Sequence, residues 1–179
     1  MKKLKTKCKP IDDLLNGGIE HGIVTMLYGE SGTGKTNFCL QLSRECAKEK
    51  KVIYIDSEGV SLERLRQISG DKYKKIIEKI LFFKPNSFKE QEKSIENIKK
   101  INNYGLVIID TINLYYRMEL EDDKEKAMRS FLRQMGKLQL IAREKNIPVV
   151  VVEQVYTDKN GEIEPFTHRE TDHIVKTMI

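Results

Sequence analysis

Five short apolar runs limit what this sequence can fold into: IVTMLY (Ile23–Tyr28), VIYID (Val52–Asp56), ILFF (Ile80–Phe83), LVIID (Leu106–Asp110) and VVVVE (Val149–Glu153). They are near-continuous rather than alternating, the pattern of strands covered on both faces. The segments between them carry helical spacing. Phe38, Cys39, Leu42 and Cys46 form one stripe. Met128, Phe131, Leu132, Met135, Leu138 and Ala142 form another, introduced by Asp122 and Asp123 and closed by Asn146 and Pro148. Strand and helix in alternation predict an α/β domain with a mainly parallel central sheet and helices on both faces. Segment 88–103 is charged, with Ile95, Ile98 and Ile101 on one side, and reads as a surface helix covering a sheet edge. The run HIVKTMI is strand-like and stops without a turn. The expectation is therefore one domain over 1–179, with a basic leader at 1–10 and C-terminal strands cut short.

Composition narrows the setting. No apolar run approaches the roughly 20 residues that cross a bilayer, and MKKLKTKCKP lacks the apolar core of a signal peptide. The three cysteines, Cys8, Cys39 and Cys46, form no CxxC, which fits a reducing, cytoplasmic location. Cys39 and Cys46 share a helix and read as core filling. His21, His168 and His173 have no partners at metal-ligand spacing, so no zinc site is expected. Lysine dominates the 32 basic residues, which stand against 27 acidic ones. That balance reads as a solvated, charge-paired surface. Lys2, Lys3, Lys5, Lys7 and Lys9 of the leader could meet a phosphate backbone, but a disordered, solvated tail is the expected state.

GESGTGKT, Gly29–Thr36, follows the first strand and opens the helix KTNFCLQLSRECAKE. Gly29, Gly32 and Gly34 let the backbone fold around phosphates. The N–H groups of the loop from Gly29 through Glu30, Ser31 and Thr33 to Asn37, with the helix N-terminus, then point at them. Lys35 reaches the β- and γ-phosphates and Thr36 offers its hydroxyl to Mg²⁺. Asp110 ends LVIID, where a magnesium carboxylate belongs. Hydrolysis also needs an oriented, deprotonated water. Asp56 and Glu58 in YIDSEG are the candidates, and Glu58, further out, is the better base. Gln154, just past VVVVE, can sense the γ-phosphate and move the loop that follows. No N-K-x-D occurs, so ATP is expected rather than a guanine nucleotide.

Together LLNGGIEHGIVTMLYGESGTGKTNFCLQLS, YIDSEG, LVIIDT and PVVVVEQV resemble the ATPase core of the RecA/RadA recombinase family, over roughly Ile11 to Val155. The chain looks most like the short archaeal paralogues of RadA, because no N-terminal domain precedes the core. The resemblance implies a RecA-like fold with Gly29–Thr36 as Walker A and Asp110 as the Walker B acid. It puts Glu58 where the catalytic glutamate sits. Gln154 falls on the glutamine that couples γ-phosphate to a DNA-binding loop. Arg64, in SLERLRQI, resembles the arginine that lies against the adenine, although the family pattern is one residue longer there.

Departures from the family matter too. Its first DNA loop is usually basic; here YYRMELEDDKEK carries Glu119, Glu121, Asp122 and Asp123, leaving Arg117 with Tyr115 and Tyr116 for stacking. The second loop, YTDKNGEIEPFTHRETD, has one glycine and Lys159, His168 and Arg169 as its basic residues. No polymerisation motif fits before Ile11. The expectation is an accessory protein of DNA repair and homologous recombination that binds ATP and Mg²⁺ and hydrolyses slowly. It would touch DNA through Tyr116, Arg117, Lys159 and Arg169 and modulate a RadA-type recombinase or a junction-processing protein, without forming its own filament. Two other readings remain: a nucleotide-switched protein-binding module with little catalysis, and a stand-alone RecA-fold ATPase that does not act on DNA.

Overall fold

The structure is a computed structural model that describes residues 2–157, 163–167, 171 and 173–179. The chain runs β1 (Lys3–Leu4), α1 (Lys9–Leu14), β2 (Ile19–Glu20), β3 (Val24–Gly29), α2 (Lys35–Ala47), β4 (Lys51–Asp56), α3 (Leu62–Ser69), α4 (Tyr73–Ile77) and β5 (Ile80–Phe83). It continues through α5 (Phe88–Asn97), β6 (Tyr104–Asp110), α6 (Leu114–Asp122), α7 (Lys124–Lys145), β7 (Val149–Thr157), β8 (Ile163–Pro165) and β9 (Val175–Met178). The central sheet has the order β5-β4-β6-β7-β3-β9 and every pairing along it is parallel; β8 adds antiparallel to β7.

The period of two along each strand sorts its residues between two cores. Ile53, Ile55, Val107, Ile109, Val149 and Val151 pack with Phe88, Ile95 and Ile98 of the α5 region and with Phe131, Met135, Leu138 and Ala142 of α7. Their neighbours Val52, Tyr54, Leu106, Ile108, Val150 and Val152 face the other way, against Cys39, Leu40, Leu42 and Cys46 of α2 and Leu65 of α3. Because both faces are covered, the strands carry apolar runs rather than alternation. Asp123 starts α7 by accepting from the Lys126 amide, and Asn146 ends it in the left-handed conformation (φ 49°) that asparagine tolerates.

Three expectations are corrected. The leader is not a solvated tail. β1 pairs with β2, Asp12 accepts the amides of Thr6 and Lys7, and Gln41 of α2 donates to the Thr6 carbonyl at 2.7 Å. Leu4 packs on the α2 core, so local apolar and hydrogen-bonding partners outweigh the leader's lysine content. Segment 88–103 covers a sheet face beside α7 rather than an edge; its helix ends at Asn97 and a 3-10 turn, Ile98–Lys100, follows. Residues 115–122, expected as a loop, form most of α6; LYYRMELED contains no glycine or proline to prevent it.

Candidate functional site

Four adjacent strands, β4, β6, β7 and β3, deliver their C-terminal ends to one rim of the sheet, where open α/β sheets bind ligands. The turn after β3 needs backbone that only glycine adopts easily: Gly32 and Gly34 have φ of 81° and 93°, and Gly34 precedes the first residue of α2. Lys35 arches back over the loop, its ammonium donating to the carbonyls of Gly29 (2.8 Å) and Glu30 (2.7 Å). Thr33 donates to the same Glu30 carbonyl at 2.9 Å, bracing the loop from within.

A cleft of about 240 Å³ opens in front of this loop. Ser31, Gly32, Gly34, Lys35, Thr36 and Asn37 line one wall; Glu58, Asp110, Thr111 and Gln154 line the other. At its floor the Asp110 carboxylate is buried and accepts from the Tyr54 phenol at 2.7 Å. Burial pushes the Asp110 carboxyl up; hydrogen bonds from Tyr54 and the Thr36 hydroxyl pull it down, and the nearby Glu58 and Asp56 charges add to the rise. Burial likewise holds the Tyr54 phenol well above its ordinary value, so it stays a donor. A hydroxyl paired with a carboxylate beside a nest of backbone N–H groups fits a hard divalent cation on a phosphate chain.

Across the mouth of the cleft runs a relay of side chains. Glu58 Oε1 accepts from the Thr111 hydroxyl and from the Gln154 amide, each at 2.6 Å. Gln154 Oε1 in turn accepts from Arg117 of α6 at 3.2 Å, and that guanidinium lies 5.3 Å from the centre of the Phe166 ring. Asn113 grips the Gln154 backbone, donating to its carbonyl at 3.2 Å and accepting from its amide at 3.4 Å. The next residue back, Glu153, accepts from the Thr167 amide and hydroxyl, fastening residue 167 to the end of β7.

The sequence-predicted residues divide by position. Ser31, Gly32, Gly34, Lys35, Thr36, Asn37, Glu58, Asp110 and Gln154 meet at one cleft; Gly29, Glu30 and Thr33 build the loop that shapes it. Asp56 is not a second candidate base. It is buried, and its two oxygens accept from the amides of Gly59 and Val60, so it shapes the turn that carries Glu58. Arg64 bonds to Asn37 Oδ1 at 3.1 Å and edges a neighbouring hollow lined by Tyr28, Phe38 and Gln41. Tyr116 is not available for stacking on DNA: it is 1% exposed and stacked on Phe131 at 4.3 Å between centroids. Tyr115 is half-buried and donates to the Pro85 carbonyl. Arg117 is at the surface, while Lys159, His168 and Arg169 lie outside the described residues. Sequence reasoning gave no role to Tyr54 or Thr111. Thr111 follows Asp110 directly and could have been found from that; Tyr54 reads as an ordinary strand residue.

Comparisons with known proteins agree with this fold. The family model described as Rad51 matches residues 1–177. The "DNA repair and recombination protein RadB" of Methanococcoides burtonii is 44% identical over 183 residues, covering 99% of this chain and 81% of the relative. The protein of the same name from Archaeoglobus fulgidus is 37% identical over 182 residues, 98% of this chain and 81% of its own. Among solved structures, the "Crystal structure of the RadB recombinase" superposes with a TM-score of 0.82 at 35% identity, covering 98% of this chain and 81% of that one.

Proposed function

We propose a function on the premise that this chain belongs to the Rad51 family: it is a Mg²⁺-ATP-binding, slowly hydrolysing accessory protein of DNA repair and homologous recombination. Nucleotide and magnesium use are general to the family, and the names of the relatives point to DNA and recombinase partners. The observation that carries the reading is the Thr111–Glu58–Gln154–Arg117 relay across the phosphate-loop cleft.

Each residue then has a role. Lys35 and the loop amides hold the phosphates. Thr36 and Asp110 would hold the magnesium ion, which supplies charge neutralisation on the phosphate oxygens. Glu58 Oε1 is taken by two donors, which fixes the carboxylate and leaves Oε2 to accept a proton from water. Gln154 stands between that base and Arg117, so a change at the phosphates is passed to α6 and to the segment after β7. Arg64 edges the hollow beside the loop, in place to meet a base. Among the described residues no helix is long and apolar enough to cross a membrane, and a cytoplasmic site of action fits.

Steady-state ATP hydrolysis with and without single-stranded DNA, at low and moderate salt, tests the reading. Glu58→Gln should abolish turnover and leave ATP binding intact; turnover that survives it removes Glu58 as the base. One observation favours a second reading. The acidic α6, with Glu119, Glu121 and Asp122, is tied to Gln154 through Arg117, which suits a nucleotide-switched surface for a protein partner. Clear ATP binding with a flat, near-zero rate would select it.

A further inference from the structure

The docked leader forms one wall of a hollow of about 260 Å³ at the other end of the sheet. It sits at the N-terminal ends of β3, β6 and β7, about 20 Å from the phosphate loop for strands of six residues. Lys2 and Lys5 come from the leader, Lys50 from the turn before β4, and His21 from the turn before β3. Lys2 and Lys50 stand close enough to His21 to help lower its pKa, after burial, the larger cause. His21 Nδ1 donates to the Asn146 carbonyl at 2.8 Å, which leaves Nε2 as the ring's free polar atom.

Two features separate this hollow from a chance gathering of lysines. First, Gly105 lies inside the buried strand β6 without a positive φ. A Cβ there would come within 2.9 Å of both Cβ and Cδ of Lys50, so glycine makes room for the Lys50 stem to cross the strand. Second, among the described residues no ion pair joins Lys2, Lys5 or Lys50 to a carboxylate. Glu45, which also lines the hollow, is already paired with Arg44 and Lys48, leaving Glu49 as the acid on the rim. Lys3 is spent on the Leu15 and Asn16 carbonyls. Basic residues near the end of α2 suit its dipole, but that accounts for Lys50 and not for two lysines brought in by another element.

We propose that this hollow is a contact for the sugar–phosphate backbone of DNA, with Lys2, Lys5 and Lys50 around one phosphate. Lysine ammoniums are point charges that bind phosphate without reading sequence, and their binding is strongly salt-dependent. The inference rests on the reading that this protein acts on DNA, and it places a second contact far from Arg117.

The test is anisotropy of a labelled DNA duplex titrated with the full chain across a range of salt. The triple variant Lys2→Gln, Lys5→Gln, Lys50→Gln keeps much of each stem. A control triple, Lys74→Gln, Lys75→Gln, Lys93→Gln, removes the same charge from exposed positions on α4 and α5. The hollow variant should lower the slope of log affinity against log salt by about 1, the share of one phosphate, with about a tenfold loss at low salt, while ATP binding stays at the parent value. The control should keep the parent slope. An unchanged slope in the hollow variant, or equal losses in both triples, overturns the inference and leaves the DNA reading standing. A parent protein that does not bind DNA at low salt overturns both.

Discussion

Replacing Asp56 by asparagine isolates the turn that presents Glu58. The Asp56 carboxylate is 4% exposed; Oδ1 accepts the Gly59 amide and Oδ2 the Val60 amide, both at 2.8 Å. An asparagine has one oxygen and one NH₂, so one backbone donor loses its acceptor and faces another donor. A hydrogen bond to a charged group contributes about 1.5–3 kcal/mol, and leaving a buried donor unpaired costs a similar amount. Counted once, the loss is about 2–3 kcal/mol. One opposing effect exists: removing the Asp56 charge relieves Asp110, but Asp56 is the last of the causes that raise the Asp110 carboxyl. The loss wins. At about 2–4 °C per kcal/mol for a chain of this size, Tm falls by roughly 4–12 °C. Glu58 lies between the anchored amides and the strand, so turnover should fall at least about tenfold, equivalent to about 1.4 kcal/mol of barrier, with ATP affinity nearly unchanged. Thermal unfolding, phosphate-release kinetics and equilibrium ATP binding on one preparation read all three. Full turnover in a destabilised Asp56→Asn protein would refute the claim that Asp56 positions Glu58.

Asp110→Asn should stabilise the nucleotide-free protein at neutral pH. Burial raises the folded carboxyl above its unfolded value, so the stability linked to its protonation is present at low pH and lost as pH rises through the folded value. Metal-dependent ATP binding should disappear in the same variant, and urea unfolding with a binding titration checks both. Gln154→Ala cuts the link from Glu58 to Arg117; ATP should still bind and stimulation by DNA should be lost, so undiminished stimulation sinks the relay. Cys46, pushed up to about 12 by burial, should resist iodoacetamide at neutral pH until the protein unfolds, which peptide mass spectrometry reads directly. Phe131→Ala removes a fully buried ring stacked on Tyr116 and should cost about 3–5 kcal/mol in denaturant unfolding.

What was legible in the sequence is what short-range pattern encodes. The five apolar runs are strands because both faces of the sheet are covered, and the glycine spacing of the phosphate loop carries its own geometry. Asp110, Glu58 and Gln154 were placed by their positions at strand ends. The rest depended on which distant segments meet. Asp56 and Glu58, two residues apart, would share one face of an extended strand, yet one faces two amides and the other the cleft. Tyr116 beside Arg117 reads as a stacking pair until the turn of α6 sends the tyrosine into the core and the arginine to Gln154. The lysine-rich leader gives no local sign that Asp12 and Gln41 await its backbone.

That clasp has a practical side for whoever labels this protein. A fluorophore or affinity tag joined ahead of Lys2 emerges at the rim of the basic hollow, at the far end of the sheet from the nucleotide cleft. A reporter there watches the lysines and His21, and a bulky one shields them. Measurements of DNA affinity made with such a fusion bring the tag's charge and volume to the proposed phosphate contact, whereas nucleotide binding at the opposite rim is read without that interference.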